Sequence, residues 1–328
     1  RNPNLQWETT TTLNAGVDFG VLANRVRGTL EYYKSNTTDL LLDRQLASSS
    51  GYTVTRFNVG ELQNTGVEVT LNNSIIRTTD VNFDLGLIWS TNTNEIISLT
   101  GETQINPQTG EEYFIDITDT SGRRLSIGQS INSLWMPEFG GIYQEADFLE
   151  GSPITPRVGA KPGHIRVLDQ NNDGILDIND NIFINADPDW YGSINATLRV
   201  KNFDLFMDWY FVQGVTRVNS ILANGEYWKA SFNGPIVPYY TPDSPSTEWP
   251  IANANAAWLK YLNSFAAQDA SYQRLRTLTV GYNFGNDLNQ LLQTKSGRIY
   301  FTGTNLLTFT DFLSYSPEQD LRAGVFPE

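Results

Sequence analysis

Trp190-Tyr191-Gly192-Ser193-Ile194-Asn195-Ala196-Thr197-Leu198-Arg199-Val200 is separated by only Lys201-Asn202 from Phe203-Asp204-Leu205-Phe206-Met207-Asp208-Trp209-Tyr210-Phe211. In the first segment Gly192, Ile194, Ala196, Leu198 and Val200 share one parity, and Arg199 lies on the other. In the second, Phe203, Leu205, Met207, Trp209 and Phe211 alternate with Asp204 and Asp208. Side chains of a strand point alternately to its two faces. The pair therefore reads as a tight hairpin with one apolar and one wet face.

The same alternation recurs at 9–20 (Leu13, Ala15, Val17, Phe19), 25–35 (Val26, Gly28, Leu30, Tyr32), 64–73 (Val67, Val69, Leu71) and 80–91 (Val81, Phe83, Leu85, Leu87, Trp89). It returns at 272–284 (Leu278, Val280, Tyr282, Phe284) and 297–307 (Ile299, Phe301, Gly303), which makes eight strands, all antiparallel to their neighbours. Most have the roughly 9–11 residues with which a tilted strand crosses a bilayer. Asp18, Arg25, Arg27, Glu31, Glu68, Asp84, Arg199, Asp204, Asp208 and Arg298 occupy the opposite parity. A lipid-facing Arg or Lys at midplane costs about 2–4 kcal/mol, so the charged parity must face water. Leu13, Val17, Val69, Phe83, Leu85, Leu205, Met207 and Val280 are then expected outward, with Asp84, Arg199, Asp204 and Asp208 towards a lumen. Lys34 and Arg276 break the phase, and both are expected near strand ends, where the cost fades.

A soluble sandwich makes the same alternation. The connections separate the two folds. Short links near 21–24, 74–79 and 201–202 alternate with long ones near 36–63, 92–189 and 214–271, while 285–296 is moderate. Outer-membrane barrels pair short periplasmic turns with long extracellular loops, whereas long structureless loops are rare in compact soluble domains. Tyr32, Tyr33, Trp89, Trp190, Tyr191, Tyr282 and Phe284 lie near strand ends, as interfacial girdles require. The expected fold is all-β: the wall of an antiparallel transmembrane β-barrel. Strands at 9–20 and 297–307 are not expected to pair with each other, because loops this long would overload an eight-stranded rim.

Composition is compatible with that fold. Of 328 residues 40% are hydrophobic and 12% aromatic, and no apolar run approaches the roughly 18 residues of a membrane helix. The absence of cysteine excludes disulfides and thiolate chemistry. A net charge of −14 argues against a nucleic-acid partner. Residues 92–188 carry 15 Asp and Glu against 5 Lys and Arg. So acidic a segment suits simple solubility first, and otherwise divalent cations bridging it to lipopolysaccharide or the repulsion of anions.

Asp169-Gln170-Asn171-Asn172-Asp173-Gly174-Ile175-Leu176-Asp177-Ile178-Asn179-Asp180 has the spacing of a twelve-residue calcium loop. Asp169, Asn171, Asp173, Asp177 and Asp180 supply side-chain oxygens, the carbonyl of Ile175 fills position 7, and Gly174 allows the sharp turn. The twelfth residue is Asp, as in dockerin-type loops, rather than Glu, and no helix pattern flanks it. A structural calcium is expected here, against an ion-free Asp/Asn/Gly turn. Trp135, Tyr143, Tyr227, Trp228, Trp249, Trp258 and Tyr261 lie in the long connections, to stack on sugars, grip peptides or build the loops' own cores. The single histidine, His164, has no second histidine or cysteine to make a metal or catalytic site. Glu111-Glu112 reads as solvated surface rather than a glycosidase pair. No nucleophile-elbow, phosphate-loop or dinucleotide pattern is present, so no enzyme is expected.

Several short segments resemble, in order and spacing, the C-terminal portion of the SusC/RagA-type TonB-dependent transporters of Bacteroidetes. They are Asn2-Pro3-Asn4-Leu5-Gln6-Trp7-Glu8, Asn58-Val59-Gly60-Glu61-Leu62-Gln63-Asn64-Thr65-Gly66-Val67-Glu68 and Ser126-Ile127-Gly128-Gln129-Ser130-Ile131-Asn132-Ser133. Gly141-Ile142-Tyr143-Gln144, Lys161-Pro162-Gly163, the Asp169–Asp180 run, Tyr272-Gln273-Arg274-Leu275-Arg276, Gly303-Thr304-Asn305-Leu306-Leu307 and Ser316-Pro317-Glu318 continue the series. His164 stands where similar sequences usually carry an acid. The resemblance implies the C-terminal eight or so strands of a 22-stranded barrel. The plug, the TonB box, the early strands and the aromatic-ended closing strand are expected outside residues 1–328. It further implies outer-membrane nutrient import of oligosaccharides or peptides, with a SusD-like lipoprotein over the loops and TonB as energy source. A calcium-stabilised surface adhesin and, more remotely, a secreted β-hydrolase are the competing readings.

Overall fold

The computed structural model describes residues 5–45, 51, 54–58, 60–105, 110, 112–118, 123–223, 237–252, 264–314 and 316–318. Eight long strands form one antiparallel sheet in chain order: β1 (Thr9–Val21), β2 (Val26–Thr38), β3 (Glu61–Arg77), β4 (Val81–Ser98), β5 (Trp190–Val200), β6 (Phe203–Gln213), β7 (Tyr272–Asn283) and β8 (Arg298–Thr310). Each expected stretch is a strand, and β1 and β8 are the two edges rather than partners.

Register builds the two faces. Phe83, Leu198, Leu205, Val280 and Phe301 stand opposite one another across five strands. Leu85, Ala196, Met207 and Leu278 form the next such row, and Val17, Leu30, Val69 and Trp89 a third. These residues are not packed away: Val17 is 62% and Phe301 72% exposed. A sandwich would cover this face with a second sheet, so its exposure decides for a barrel wall whose apolar face suits hydrocarbon. No helix among the described residues is long and apolar enough to cross a membrane.

The strands run further than alternation alone indicates, to 17 residues in β3 and 18 in β4. At one end the apolar parity turns polar. Leu13 faces Lys34, which faces Thr65, and the next row is Asn36, Gln63 and Glu95. The Asn36 amide donates to Glu61 (3.0 Å), and Gln63 donates to Asn36 (3.0 Å). Backbone pairing continues here into water, where alternation is no longer required. Lys34 is thus not at the strand end, because β2 runs on to Thr38; it stands opposite Leu13 where the apolar parity gives way to polar side chains.

Arg276 does not sit near a strand end, and its phase break has another cause. Asp208 faces Thr277 while Trp209 faces Leu275, leaving Arg276 as the extra residue of a β-bulge within β7. The bulge switches the apolar parity from Leu275 to Leu278, Val280 and Tyr282, and turns Arg276 to the charged face beside Asp208. On the β8 side the register slips at the same level, where Asn305 has φ +51°.

Connections alternate as expected but are partly folded. Leu41–Gln45 pairs with Val54–Asn58 inside the first long connection. A helix, Asn286–Leu291, occupies the moderate one. The chain divides into two compact units, the first comprising Arg1–Ser133, Asn185–Val215 and Ala270–Asp311 and holding the sheet. The second comprises Leu134–Ile184, Thr216–Asp269 and Phe312–Glu328. Within it Leu134–Pro137 pairs with Asn181–Ile184, Phe139–Ile142 with Ile165–Val167, and Thr216–Val218 with Ala267–Asp269. Met136, Val218, Leu222 and Ala266 form one core there, and Ile142, Ile165 and Tyr240 another.

Candidate functional site

The charged face of the sheet is a wall of paired polar groups. Thr29 donates to Asp18 (2.7 Å), and Ser74 to Asp84. Arg298 meets Asp204 at 2.6 Å, and Arg276 meets Asp208 at 2.6 Å. Exposed pairs contribute about 0–1 kcal/mol, but the Asp208 side chain is only 10% exposed and would be costlier to strand. Aromatic rings back the cations: Tyr210 lies 4.8 Å from the Arg276 guanidinium carbon, Tyr272 5.0 Å from that of Arg274, and Tyr300 4.9 Å from that of Arg298. The Arg274 Nε donates to Thr308 (2.9 Å).

Towards the long connections the same face becomes an amide ladder. The Tyr33 hydroxyl donates to Asn92 (2.9 Å), and Asn94 donates to Asn64 (2.9 Å). The Asn94 side-chain carbonyl accepts from the Ile131 amide (2.9 Å). Asn132 donates to Asp187 (2.8 Å), and so does Ser130. These bonds fasten the 126–133 segment to β4, over a small core of Ile96, Leu99, Ile117 and Leu125.

In the second unit the Asp-rich turn is held by its own backbone. Asp169 accepts from the Gly174 amide (2.8 Å), Asn171 from that of Asp173 (3.0 Å), and Asp173 from that of Ile175 (2.7 Å). Asp180, 1% exposed, accepts from the Gln170 and Asp177 amides, and Asp177 accepts from that of Asn179. Among the described residues no group of three or more acidic or histidine side chains is gathered to hold a metal. One oxygen, Oδ1 of Asp169, is buried without a donor.

The expected aromatic contacts fall into different places. Tyr143 is 2% exposed and part of the unit's interior, with its ring 5.7 Å from Phe148. Its amide and carbonyl bond the strand segment at His164 and Gly163. Trp249 packs edge-on against Phe265 at 5.8 Å, and half-buried Trp135 tilts against Phe183 at 6.4 Å. Tyr227, Trp228, Trp258 and Tyr261 lie outside the described residues. His164 is half-buried, and burial together with Arg157 and Lys161 lowers its pKa. The Arg274–Arg276 pair and the amide ladder escaped the sequence reading. Two arginines of like parity, Arg274 and Arg276, were the available signal.

A family profile described as "TonB dependent receptor-like, beta-barrel" matches residues 1–306. TonB-dependent receptor P26 of Formosa agariphila is 30% identical over 321 residues, 97% of this chain and 32% of that protein. TonB-dependent receptor SusC of Bacteroides thetaiotaomicron is 25% identical over 346 residues, 99% of this chain and 31% of that protein. The structure of the RagAB peptide transporter superposes with a TM-score of 0.70 at 22% identity, over 97% of this chain and 33% of that one, a likeness of fold. The chain spans about a third of the length of the relatives it matches.

Proposed function

This chain belongs to the TonB-dependent receptor β-barrel family, and on that premise we propose that it is part of the wall and outer loops of an active importer in a Gram-negative outer membrane. The observation that carries the reading is the sheet itself, with one face apolar and exposed, and the other lined by paired charges and amides. The first suits lipid and the second a water-filled interior. The remaining strands of the same protein would continue the sheet at β1 and β8. A SusD-like lipoprotein would close over the long connections, and a plug with its TonB contact would lie inside the wall.

Oligosaccharides or peptides are the expected cargo, and Trp135 and Trp249 remain the described aromatic candidates for contacting it. Deletion of the gene tests the reading. Loss of growth on one defined class of glycan or peptide, restored by the intact gene, is expected. Unchanged uptake with lost surface adhesion would favour a calcium-stabilised adhesin instead.

The 169–180 turn is proposed to take a structural calcium, with Asp169, Asn171, Asp173, Ile175, Asp177 and Asp180 as ligands. Its twelve-residue spacing and the donor-less Asp169 Oδ1 support this. Binding would exchange several of the carboxylate-to-amide bonds for the ion. Chelation, or Asp173→Ala, should increase protease cleavage within about residues 160–190 and leave the sheet intact. Cleavage indifferent to both calcium and chelator would remove the ion from the account.

A further inference from the structure

One residue from each of four neighbouring strands lines up across the water-facing side of the wall. Glu31 of β2 stands directly opposite Glu68 of β3, Glu68 opposite Ser90 of β4, and Ser90 opposite Tyr191 of β5. Directly opposite residues of an antiparallel pair share a face, with Cβ atoms about 4.5–5.5 Å apart. Elsewhere on this face Asp18, Asp84, Asp204 and Asp208 each accept from a hydroxyl or a guanidinium. Glu31 and Glu68 have no hydrogen bond or ion pair among the described residues. Like charges directly opposite one another destabilise a sheet, a cost that a bound cation would offset.

Ser90, next in the row, is 5% exposed, and its Oγ is buried with no hydrogen-bond partner. Buried hydroxyls are normally paired, so an orphan beside two unpaired carboxylates points to a missing donor. The face around the row is shaped by small residues. Gly16, opposite Glu31 on β1, brings no side chain against that carboxylate, and a Cβ there would stand 3.2 Å from the Glu31 Cγ. Gly66 leaves room for the Tyr33 ring, whose hydroxyl donates to Asn92 (2.9 Å). Tyr33 thus flanks the row on the side of the long connections, and exposed Tyr191 ends it on β5. Among the described residues no third acid or histidine joins the two glutamates, so the set does not suit a metal ion. A primary ammonium fits it better. Its three N–H donors match two carboxylates and one hydroxyl oxygen, and tyrosine faces attract cations.

We propose that Glu31, Glu68 and Ser90, flanked by Tyr33 and Tyr191, form a site on the water-facing wall that takes a primary ammonium group of the imported ligand. The inference rests on the import reading and narrows its cargo to ligands with a free amine.

The test uses the intact protein in detergent, titrated calorimetrically with two matched pairs of ligands. One pair is a glucosamine trimer and its fully N-acetylated form. The other is an N-terminally acetylated peptide carrying lysine and the same peptide carrying acetyl-lysine. Wild type should bind the charged member of one pair more tightly, and the pair that shows it identifies an amino sugar or a lysine side chain as the source. The preference should weaken as salt rises. In Glu31→Gln/Glu68→Gln it should fall by roughly tenfold or more. Glu68→Asp should keep more of it than Glu68→Gln, because the charge remains on a shorter arm. Ser90→Ala should weaken binding of the charged member several-fold without lowering the yield of folded protein, whereas a purely structural hydroxyl would leave the preference intact. Heat-modifiable gel mobility verifies that each variant barrel is folded, and the single Glu68→Gln variant stands in if the double variant is not. A preference unchanged in the folded variants overturns the proposal. So does loss of the folded barrel in both glutamine variants with binding unchanged in Ser90→Ala, which would make the carboxylates structural. Wild type that binds both members of each pair alike overturns it too, while leaving the import reading standing. Binding of none of the four ligands also overturns it, and the import reading falls with it only if deletion of the gene alters growth on no glycan or peptide.

Discussion

At Gly192 a single hydrogen atom decides whether the sheet closes locally. A Cβ there would meet the Ile88 carbonyl oxygen and lie 3.2 Å from the Trp89 Cα, both backbone atoms that cannot swing away. Gly192→Val should therefore destabilise the β4–β5 pairing by about 1–3 kcal/mol, lowering the yield of heat-modifiable folded protein. Equal yield would show that the backbone yields more easily than the register implies. His164 sets a second expectation at this scale. Its pKa is held below the ordinary 6.5 by burial first, and then by Arg157 and Lys161. The unfolded chain then binds the proton more readily than the folded one, so the contribution is full above 6.5 and is lost as pH falls below it. Protease resistance of segments within Leu134–Ile184 should decline as pH falls below about 6.5, and His164→Gln should flatten that decline. An unaltered pH profile in the variant would assign the effect to other groups.

The faces of β6 and β7 make the element-scale argument. Met207 belongs to the apolar row with Leu85, Ala196 and Leu278, whereas Thr279 lies opposite Phe206 on the charged face. Met207→Arg should cost about 2–4 kcal/mol in the membrane and impair assembly, while Thr279→Arg should assemble normally. Equal assembly of the two would contradict the assignment of faces. Alternation made all eight strands legible, because period-2 patterning survives wherever one face meets lipid. It failed in two informative places. Beyond Lys34 the strands continue without alternation, since water on both sides asks for none. At Arg276 the pattern slipped by one, and only the ladder reveals an inserted residue. The small hairpins of the second unit, three or four residues long in each strand, are too short for a period to be recognised.

At the scale of the molecule the open order β1 to β8 is the central fact. Val17 faces Leu30 directly, while Val17 and Phe301 lie on opposite edge strands. In the intact protein, Val17→Cys/Leu30→Cys should crosslink on oxidation and Val17→Cys/Phe301→Cys should not. Crosslinking of the second pair would make this a self-contained small barrel. An edge left unpaired in hydrocarbon costs several kcal/mol per backbone group, so both edges call for further strands. By itself the sequence determined the strands, their faces and the alternation of connections, because each follows from local periodicity and the cost of charge in lipid. It also supplied the family, through short motifs held in order. Tertiary structure alone decided which residues meet: Arg276 with Asp208 and Tyr210, Asn94 with Ile131, and Tyr143 with the interior of its unit rather than its surface. Those contacts join residues far apart in the chain, or depend on a one-residue slip between strands, and no local pattern in the sequence records either.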